Sequence, residues 1–456
     1  MATVVAAGFV DFEITWRKDV FGGAPQAGSA ENFGTLGINF RARKTTDEEE
    51  LAAALAAWSC EISNGTGEDG ERESMIRTSI DLESLREMLE QGASVTVLDV
   101  RPEDQRTEWR IPGSVHFDAY GALKAKDPNA MKGAELPEGQ PVVTVCSAGN
   151  SSAVAAEQLR DRGFKAYTLE GEMKAWSMAW NTAEVSVAGT GARVIQVRRT
   201  GKGCLSYLVG SGGEAAVIDA SLDPGVYIDL AERYGWKITC VLDTHVHADH
   251  LSRSRGLAEL FGATPHMPEG SPVSYAFSAL GNGDEIRIGS ARLEAVLTPG
   301  HTPESMSYLL EGRAIFTGDT LFLSTVGRPD LEATPEAARE KAHALFGSVR
   351  RLLDLAPHTL VLPGHTSEPV HFDGKPICAP LLKVHEEVKQ LLEDEDRFVE
   401  KVAGRLTPTP ENYERIVELN RAGEEPEGDP TELEAGANRC AVRLRRLSGF
   451  GHPNPA

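Results

Sequence analysis

Residues 244–250 bring four metal-binding side chains together in one short stretch of the chain. They read Thr-His-Val-His-Ala-Asp-His and so contain His245, His247, Asp249 and His250. Residues 238–242, just before them, form an apolar run that predicts a buried strand. Imidazole nitrogens and carboxylate oxygens bind first-row metals, and a sheet can hold a loop at a strand end rigidly. The pattern therefore predicts a metal centre just beyond this strand.

Three further ligand-type residues stand in the same kind of position. His301, Asp319 and His365 each lie just beyond an apolar run, and a glycine precedes each of them. Side chains from several strand ends can converge on one edge of a sheet. A single histidine is usually structural, but core packing does not account for five histidines and two aspartates placed in this way. We therefore expect all seven side chains to lie at one centre.

Cys146 marks a second candidate site, at the end of the predicted strand 141–145. The residues after it, 147–152, are small or polar and lead into a predicted helix at 152–162. Backbone N–H groups in such a loop, together with the positive end of a helix, stabilise a thiolate or a bound anion. A cysteine is more often a buried core residue. The small and polar residues after Cys146 favour a reactive thiol instead.

Composition narrows the class of protein. The 456 residues suggest roughly three domain-sized units, and 41% apolar with 25% charged residues is typical of a globular protein. A net charge of −22 argues against binding of nucleic acid phosphates. No run approaches the roughly 18 apolar residues that span a bilayer, so we expect no membrane association. Six scattered cysteines fit a reducing cytoplasm rather than a disulfide framework.

The chain divides into three predicted units. Residues 1–74 form an extension whose role the sequence does not indicate, with a helix at 48–58 and a polar linker at 61–74. Residues 75–186 alternate strands and helices, which implies a small parallel α/β domain. Residues 187–456 begin with short strands and contain the seven candidate ligands. The expected fold class is thus a multidomain chain of α/β and α+β parts.

The second unit resembles a rhodanese domain. The resemblance is carried by Asp99-Val-Arg101, Arg110-Ile-Pro-Gly-Ser-Val115, the Cys146 loop and Leu169-Glu-Gly-Glu-Met-Lys-Ala-Trp176. It implies that Cys146 carries sulfane sulfur as a persulfide. Family members often have an arginine where Ser151 stands here. The resemblance therefore implies a thiol persulfide as the sulfur donor rather than an anion such as thiosulfate.

The third unit resembles the metallo-β-lactamase superfamily over residues 194–365. The resemblance implies an αββα sandwich and leaves two types of centre open. In the glyoxalase II type, all seven groups bind two zinc ions, Asp319 bridges them, and a thioester is hydrolysed. In the other type, His245, His301 and Asp319 bind one Fe(II) per chain and leave three positions open. His247, Asp249, His250 and His365 would then be supporting groups.

The flanking sequence favours iron. Ser324-Thr-Val-Gly-Arg-Pro-Asp-Leu331 resembles the Gly-Arg-x-Asp element of persulfide dioxygenases, and residues 397–400, 410–420 and 437–442 resemble their tail. By this resemblance Arg328 is a catalytic residue that holds a carboxylate or a nascent sulfur oxyanion. Arg439 and Cys440 are further substrate-binding candidates. Cys204 and Cys240 are assigned to the core, and residues 424–434 to a surface loop.

The predicted function is that of an iron-dependent persulfide dioxygenase coupled to sulfur transfer through Cys146. It would oxidise a thiol persulfide, with glutathione persulfide expected, to sulfite and thiol with O₂. One alternative is a dinuclear zinc thioester hydrolase of the glyoxalase II type. Another is a non-catalytic sulfur carrier or sensor with a structural metal. The expected setting is the cytoplasm, without nucleic acid or membrane partners, and a homodimer is a possible assembly.

Overall fold

The computed structural model describes residues 78–368, 370–404, 409–410 and 412–442, and the backbone of two earlier strands. These are β1, Phe9–Lys18, and β2, Gly37–Lys44, which pair antiparallel. They belong to a separate compact unit, Met1–Ile76, and the remainder forms a second unit, Arg77–Ala456. The predicted helix at 48–58, Cys60 and the linker at 61–74 lie outside the described residues.

A five-stranded parallel sheet forms the first domain of the larger unit. Its strands are β3 Ser79–Ile80, β4 Thr96–Asp99, β5 Val115–His116, β6 Val142–Val145 and β7 Ala166–Leu169. Its helices are α1 Leu82–Glu90, α2 Glu103–Glu108, α3 Tyr120–Lys124, α4 Asn150–Asp161 and α5 Glu172–Trp176. The strand order is β3-β7-β6-β4-β5. Apolar clusters cover both faces of this sheet, as a parallel sheet requires.

Two packed sheets form the second domain. The first has the order β14-β13-β12-β11-β10-β9-β8 and the second β15-β16-β17-β18-β19-β20. The strands of the first sheet are β8 Asn181–Val185, β9 Arg193–Arg199, β10 Cys204–Ser211, β11 Glu214–Ile218, β12 Lys237–Leu242, β13 Thr264–Pro268 and β14 Ser278–Leu280. Those of the second are β15 Glu285–Ile288, β16 Ala291–Leu297, β17 Met306–Leu310, β18 Ala314–Gly318, β19 Leu360–Pro363 and β20 Ala379–Pro380.

Helices cover the outer face of each sheet in the second domain. They are α6 Pro224–Arg233, α7 Ser254–Phe261, α8 Pro335–Leu353, α9 Leu381–Val388 and α10 Glu395–Ala403. Two further helices follow, α11 Tyr413–Ala422 and α12 Thr431–Glu434, and α11 packs against the histidine loop. One apolar cluster lies between the sheets, a second packs α6 and α7 on the first sheet, and a third packs α8 to α10 on the other. The layers therefore run αββα, as the resemblance to the metallo-β-lactamase superfamily implies.

The boundary between the domains lies earlier than the sequence suggests. The sequence places the boundary at residue 187, yet β8 already pairs with β9 along Asn181–Val185 in the sandwich. No helix in the described part of the chain is long and apolar enough to cross a bilayer.

Candidate functional site

The loop between β12 and α7 is held by Asp219, at the end of β11. The Asp219 carboxylate accepts hydrogen bonds from the backbone N–H of Thr244 at 2.7 Å and from its hydroxyl at 3.0 Å. Because the Thr244 hydroxyl donates its proton to Asp219, it accepts a hydrogen bond from His245 Nδ1, 2.9 Å away. A proton on Nδ1 leaves Nε2 of His245 with a lone pair that can bind a metal.

His245, His301 and Asp319 converge on one point. Nε2 of His245 lies 4.0 Å from Asp319 Oδ2, and Nε2 of His301 lies 3.7 Å from the same oxygen. His301 Nδ1 donates to the carbonyl of Arg328 at 2.7 Å, which directs the lone pair of Nε2 inward. Asp319 Oδ2 is buried and accepts no hydrogen bond. A buried carboxylate oxygen without a donor, facing two imidazole nitrogens, fits a metal ion.

Burial keeps these three groups in the protonation states that bind metals. Burial, with His247 nearby, lowers the pKa of His245 well below its usual range, and burial lowers the pKa of His301. Burial alone would raise the pKa of Asp319, but His365 and the two other imidazoles outweigh it and lower that pKa. Neutral imidazoles and an ionised carboxylate are the forms that coordinate a metal.

Asp249, His250 and His365 pair with one another beside this point. His365 Nδ1 lies 2.5 Å from Asp319 Oδ1, and its Nε2 lies 2.8 Å from Asp249 Oδ2. Asp249 also accepts from His250 Nδ1 at 3.0 Å and from the Asn438 amide at 3.1 Å. Burial opposes protonation, but Asp249 outweighs it and raises the pKa of His250 to about 9. These groups therefore form an ion-paired cluster.

Some atoms of the supporting groups remain without partners. His247 Nε2 lies 3.3 Å from Asp219 Oδ1, whereas its Nδ1 is buried and unpaired. Nε2 of His250 and Nε2 of His365 are likewise buried without hydrogen-bond geometry to any group. The structure thus brings all seven predicted residues to one centre, with a primary set of three and a paired set beside it.

Two buried cysteines, Cys204 and Cys440, lie at this centre. Cys204 begins the apolar strand β10 and is buried, as its assignment to the core predicts, and its thiol also lies 3.6 Å from Asp249 Oδ2. Cys440 is buried with ligand-type atoms of Asp319 and His365 within 4.8 Å. Cys240 does lie in the core between the sheets, where burial raises its pKa to about 12.

Arg328 lies beside His301 and contacts both Asp330 and the tail segment. Its guanidinium donates to both carboxylate oxygens of Asp330, at 2.8 and 2.6 Å, and to the carbonyl of Arg439 at 3.2 Å. The residue is only 2% exposed and does not line the cavity beside His301. Its carbonyl, rather than its charge, reaches the centre by accepting from His301. Arg328 thus helps to orient His301 through its carbonyl oxygen.

Residues 438–440 lie between the metal centre and the first domain. The guanidinium of Arg439 pairs with Glu108 of the first domain and donates to the carbonyl of Thr409 at 3.1 Å. It therefore points away from the metal centre and towards the first domain. The adjacent residues Asn438 and Cys440 face the centre instead.

Gly318 is required by the close approach of β18 to the His245 loop. It has a φ of +47°, and a Cβ there would lie 2.5 Å from Thr244 Oγ1. We expect Gly318→Ala to lower the midpoint of unfolding and to weaken metal binding, since backbone strain alone costs about 1–3 kcal/mol. Gly312→Ala is the matched control, because its φ is +67° but its Cβ would meet nothing within 4 Å. Equal loss of metal in both variants would contradict this account.

A cavity of about 280 Å³ opens beside His301. Val246 and Ala248 of the histidine loop, Leu331 and Val417 give it apolar walls. Glu304, Glu332, Lys341 and Arg421 bring charges of both signs to it. Such a surface suits a small molecule that carries both carboxylate and ammonium groups.

Cys146 lies at the second candidate site with an unpredicted partner, Glu172. The Cys146 N–H donates to Glu172 Oε2 at 2.6 Å, and its thiol lies 3.4 Å from the Ser152 hydroxyl. Ser152 donates to Glu172 Oε1 at 2.5 Å, and the N–H of Gly149 lies 3.1 Å from the Cys146 sulfur. Glu172 has a φ of +56°, an unfavourable conformation for a glutamate. That positive φ is not visible in the sequence.

Burial raises the pKa of Glu172 to about 7, although the hydrogen bonds from Ser152 and Cys146 act to lower it. Asp99 is the charged neighbour that raises it further. The carboxyl group can therefore gain or lose a proton near neutral pH.

Comparison with known proteins agrees with these two domains. Residues 81–179 match the rhodanese-like domain family, and residues 199–365 match the metallo-beta-lactamase superfamily. The chain joins a rhodanese-like domain to a metallo-beta-lactamase domain. The fold class predicted from the sequence is confirmed.

Similar proteins cover the metallo-beta-lactamase domain in part. The hydroxyacylglutathione hydrolase of Acidiphilium cryptum is 35% identical over 162 residues, which are 35% of this chain and 63% of that protein. That of Rhizobium meliloti is 34% identical over 156 residues, 34% of this chain and 57% of that protein. This chain thus spans less than two thirds of the length of these relatives.

Two solved structures are also similar. A metallo-beta-lactamase from Staphylococcus aureus subsp. aureus COL shares 27% identity with a TM-score of 0.47, over 52% of this chain and 74% of that one. ETHE1 from Myxococcus xanthus shares 29% identity with a TM-score of 0.45, over 50% of this chain and 98% of that one.

Proposed function

We propose that the metallo-beta-lactamase domain is an iron-dependent persulfide dioxygenase and that Cys146 transfers sulfane sulfur. The oxidation is balanced as R–S–SH + O₂ + H₂O giving R–SH and sulfurous acid, with glutathione persulfide as the expected substrate. The observation that supports it most is the convergence of His245, His301 and Asp319 on one buried point. Two imidazoles and one carboxylate with open positions are the ligand set of non-haem Fe(II) oxygenases.

The paired cluster supports a single metal ion. Both oxygens of Asp249 already accept from protein donors, namely His250 and Asn438. His365 lies between Asp249 and Asp319 and contacts a carboxylate oxygen of each. A second cation would have to displace these contacts. Bound Fe(II) supplies the redox chemistry that O₂ activation needs and that zinc lacks.

The cavity beside His301 would position the substrate. Lys341 can receive a carboxylate of glutathione and Glu304 its ammonium group, whereas Arg421 and Glu332 pair with each other at 2.8 Å. His301 is the one member of the primary set that lines this cavity. The outer sulfur of a bound persulfide would therefore approach from this side.

Metal content and O₂ uptake test the proposal directly. We expect protein purified without added metal to contain one iron per chain and to consume one O₂ per sulfite formed from glutathione persulfide. Inductively coupled plasma spectrometry and an oxygen electrode give both quantities. Two zinc ions per chain, thioester cleavage and no O₂ uptake would contradict it.

A thioester hydrolase is the second candidate. The names of the relatives at 34–35% identity support it. The Nε2 atom of His250, which is buried and has no hydrogen-bond partner, also fits a ligand of a second metal ion. The metal stoichiometry described above separates the two candidates.

The Cys146 loop would perform sulfur transfer with Glu172 as the final proton acceptor. The Cys146 thiol passes its proton to the Ser152 hydroxyl as Ser152 passes its own to Glu172. The N–H of Gly149 then stabilises the thiolate. The thiolate attacks the outer sulfur of the donor persulfide.

We expect the rate of Cys146 persulfidation to rise with pH through about 7, because Glu172 must be ionised to accept the proton and its pKa is about 7. Glu172→Gln should lower the rate by about 100-fold and remove this inflection. Mass spectrometry of the intact protein at successive times measures the rate. Glu170→Gln, at an exposed neighbouring position, is the control and should keep the wild-type profile. An unchanged inflection in Glu172→Gln would sink the proton-acceptor role.

A further inference from the structure

A cavity of about 200 Å³ lies between the rhodanese-like domain and the metallo-beta-lactamase domain. Gln105, Ser147 and Met173 line it from the first domain, and Lys202, Ala437 and Arg439 from the second. None of the seven metal-site residues is among the described residues that line it. It is therefore distinct from the cavity beside His301.

This interdomain cavity is positively charged within an acidic protein. Its lining includes four basic residues, Arg101, Lys174, Lys202 and Arg439, and one acidic residue, Glu108, whereas the whole chain has a net charge of −22. The loop 146–152 contributes no charged side chain. A concave site with an excess of one sign of charge concentrates the electrostatic field. The cavity should therefore attract anions wherever one of these cations is not already paired with a carboxylate.

Lys202 is the one of these cations that has no counterion. The other three are paired with carboxylates: Arg101 with Asp99, Lys174 with Glu432, and Arg439 with Glu108. Lys202 is only 7% exposed, and no described side chain forms a hydrogen bond or ion pair with its ammonium group. Lys202 lines the cavity, so its ammonium group can pair with an anion that is bound there. An anionic ligand in the cavity would supply the missing partner.

The cavity adjoins the loop that carries the reactive thiol. Ser147 follows Cys146 directly, and its hydroxyl donates to Gln105 at 2.8 Å. The Met173 N–H lies 3.4 Å from the Cys146 carbonyl. Ser147, Gln105 and Met173 all line the cavity. A ligand held there would thus lie against the Cys146 loop.

The opposite wall is a segment that the metal centre also uses. Ala437 and Arg439 line the cavity, whereas Asn438 donates to Asp249 and Cys440 lies beside Asp319. Successive side chains of this segment therefore face opposite sites. Only one layer of chain separates the interdomain cavity from the metal centre.

We propose that the interdomain cavity binds the carboxylate end of a low-molecular-weight thiol persulfide that exchanges sulfur with Cys146, with Lys202 and Arg439 as its cationic contacts. The proposal rests on the assignment of Cys146 as the sulfur carrier. In the transfer, the S–S bond of R–S–SH breaks and a new S–S bond forms on Cys146. R–S⁻ leaves and Cys146 becomes the persulfide, so atoms and charge balance. At about 200 Å³, below the roughly 300–1,000 Å³ of sites for drug-sized ligands, the cavity suits one end of such a molecule.

Equilibrium binding tests the cavity without relying on sulfur transfer. Full-length Cys146→Ser protein is titrated calorimetrically with glutathione, and separately with coenzyme A and with thiosulfate. We expect glutathione to bind and its dissociation constant to rise about 10-fold or more when Lys202→Met is added. Arg439→Gln should weaken binding in the same direction, and Lys202→Arg should restore it. Lys132→Met, at an exposed position of the same domain as Cys146, is the control and should leave binding unchanged.

Kinetics of Cys146 persulfidation complete the test. With glutathione persulfide as donor, Lys202→Met should raise the half-saturating concentration about 10-fold and leave the maximal rate unchanged. Glutathione binding and half-saturation that do not change in Lys202→Met would overturn the cavity proposal while leaving Cys146 as carrier intact. Tight binding of thiosulfate or coenzyme A in place of glutathione would overturn the choice of ligand. Glutathione binding that depends on Lys202 with no persulfidation of wild-type Cys146 would overturn the sulfur-carrier role instead.

Discussion

Asp319→Asn should abolish sulfite formation from glutathione persulfide and remove the iron, while Cys146 still becomes persulfidated. Asp319 Oδ2 is the only carboxylate oxygen aimed at both His245 and His301 among the described residues. An amide at this position is a neutral and weaker ligand, and it would also disturb the contact with His365. Loss of even an outer partner typically costs about 10–100-fold in metal affinity or activity, so loss of a ligand should cost more than about 100-fold.

Asp249→Asn is the comparison variant for this prediction, because it distinguishes a mononuclear centre from a dinuclear one. In the proposed mononuclear centre, Asp249 supports His250 and His365 without binding the iron. The variant should then keep one iron per chain and retain part of its activity. In a dinuclear hydrolase, Asp249 is a ligand, and the same change would remove one of two metal ions. Sulfite formation that survives Asp319→Asn would contradict the iron site and favour a carrier or sensor role for the chain.

The positions of the ligands could be predicted from the sequence because each follows an apolar run. Asp319 directly follows β18, and His301 and His365 lie in the loops after β16 and β19. In the sequence, each of these strands is an apolar run that is followed by polar residues. Their division into a primary set and a paired set could not be predicted. It depends on which nitrogen of each imidazole faces which oxygen, and only the folded loops fix that.

Contacts between residues that lie far apart in the chain also could not be predicted from the sequence. Residues 424–434 are rich in glutamate and proline, which predicts a surface loop, yet Glu434 is fully buried. It accepts from Arg199 at 3.1 Å and from Arg253 at 2.9 Å, and these partners lie far away in the sequence. Their charges outweigh burial and lower the pKa of Glu434. Composition describes the segment's average polarity but not this buried ion pair.

Arg328 shows that a motif likewise does not predict the contacts of its side chain. The motif marks a position that matters, but its side chain is directed by Asp330, two residues later, and by the carbonyl of Arg439. Since the tail segment supplies that carbonyl, the role of Arg328 follows from how the tail docks. The structure accordingly links Arg328 to the orientation of His301.

Cys146→Ser should separate the two activities of the chain. A serine cannot carry sulfane sulfur, so we expect no persulfide on residue 146 and no sulfite from a donor whose sulfur must pass through it, measured with a thiol persulfide other than glutathione persulfide, plus glutathione. Sulfite formation from preformed glutathione persulfide should continue, because in the proposed function that substrate reaches the metal centre through the cavity beside His301. Cys378→Ser, a partly buried cysteine outside both sites, is the matched control.

The fusion of the two domains in one chain should affect the rate of sulfite formation. Persulfide formed at Cys146 and released as a small thiol persulfide is produced close to the centre that oxidises it, which raises its effective local concentration. Sulfite formation by wild-type protein should therefore exceed that of a mixture of Cys146→Ser and Asp319→Asn proteins at equal concentrations. In the mixture each activity is intact, but the persulfide must diffuse from one chain to another. Equal rates in the two cases would show that the shared chain gives no kinetic advantage, and that the domains act as independent enzymes.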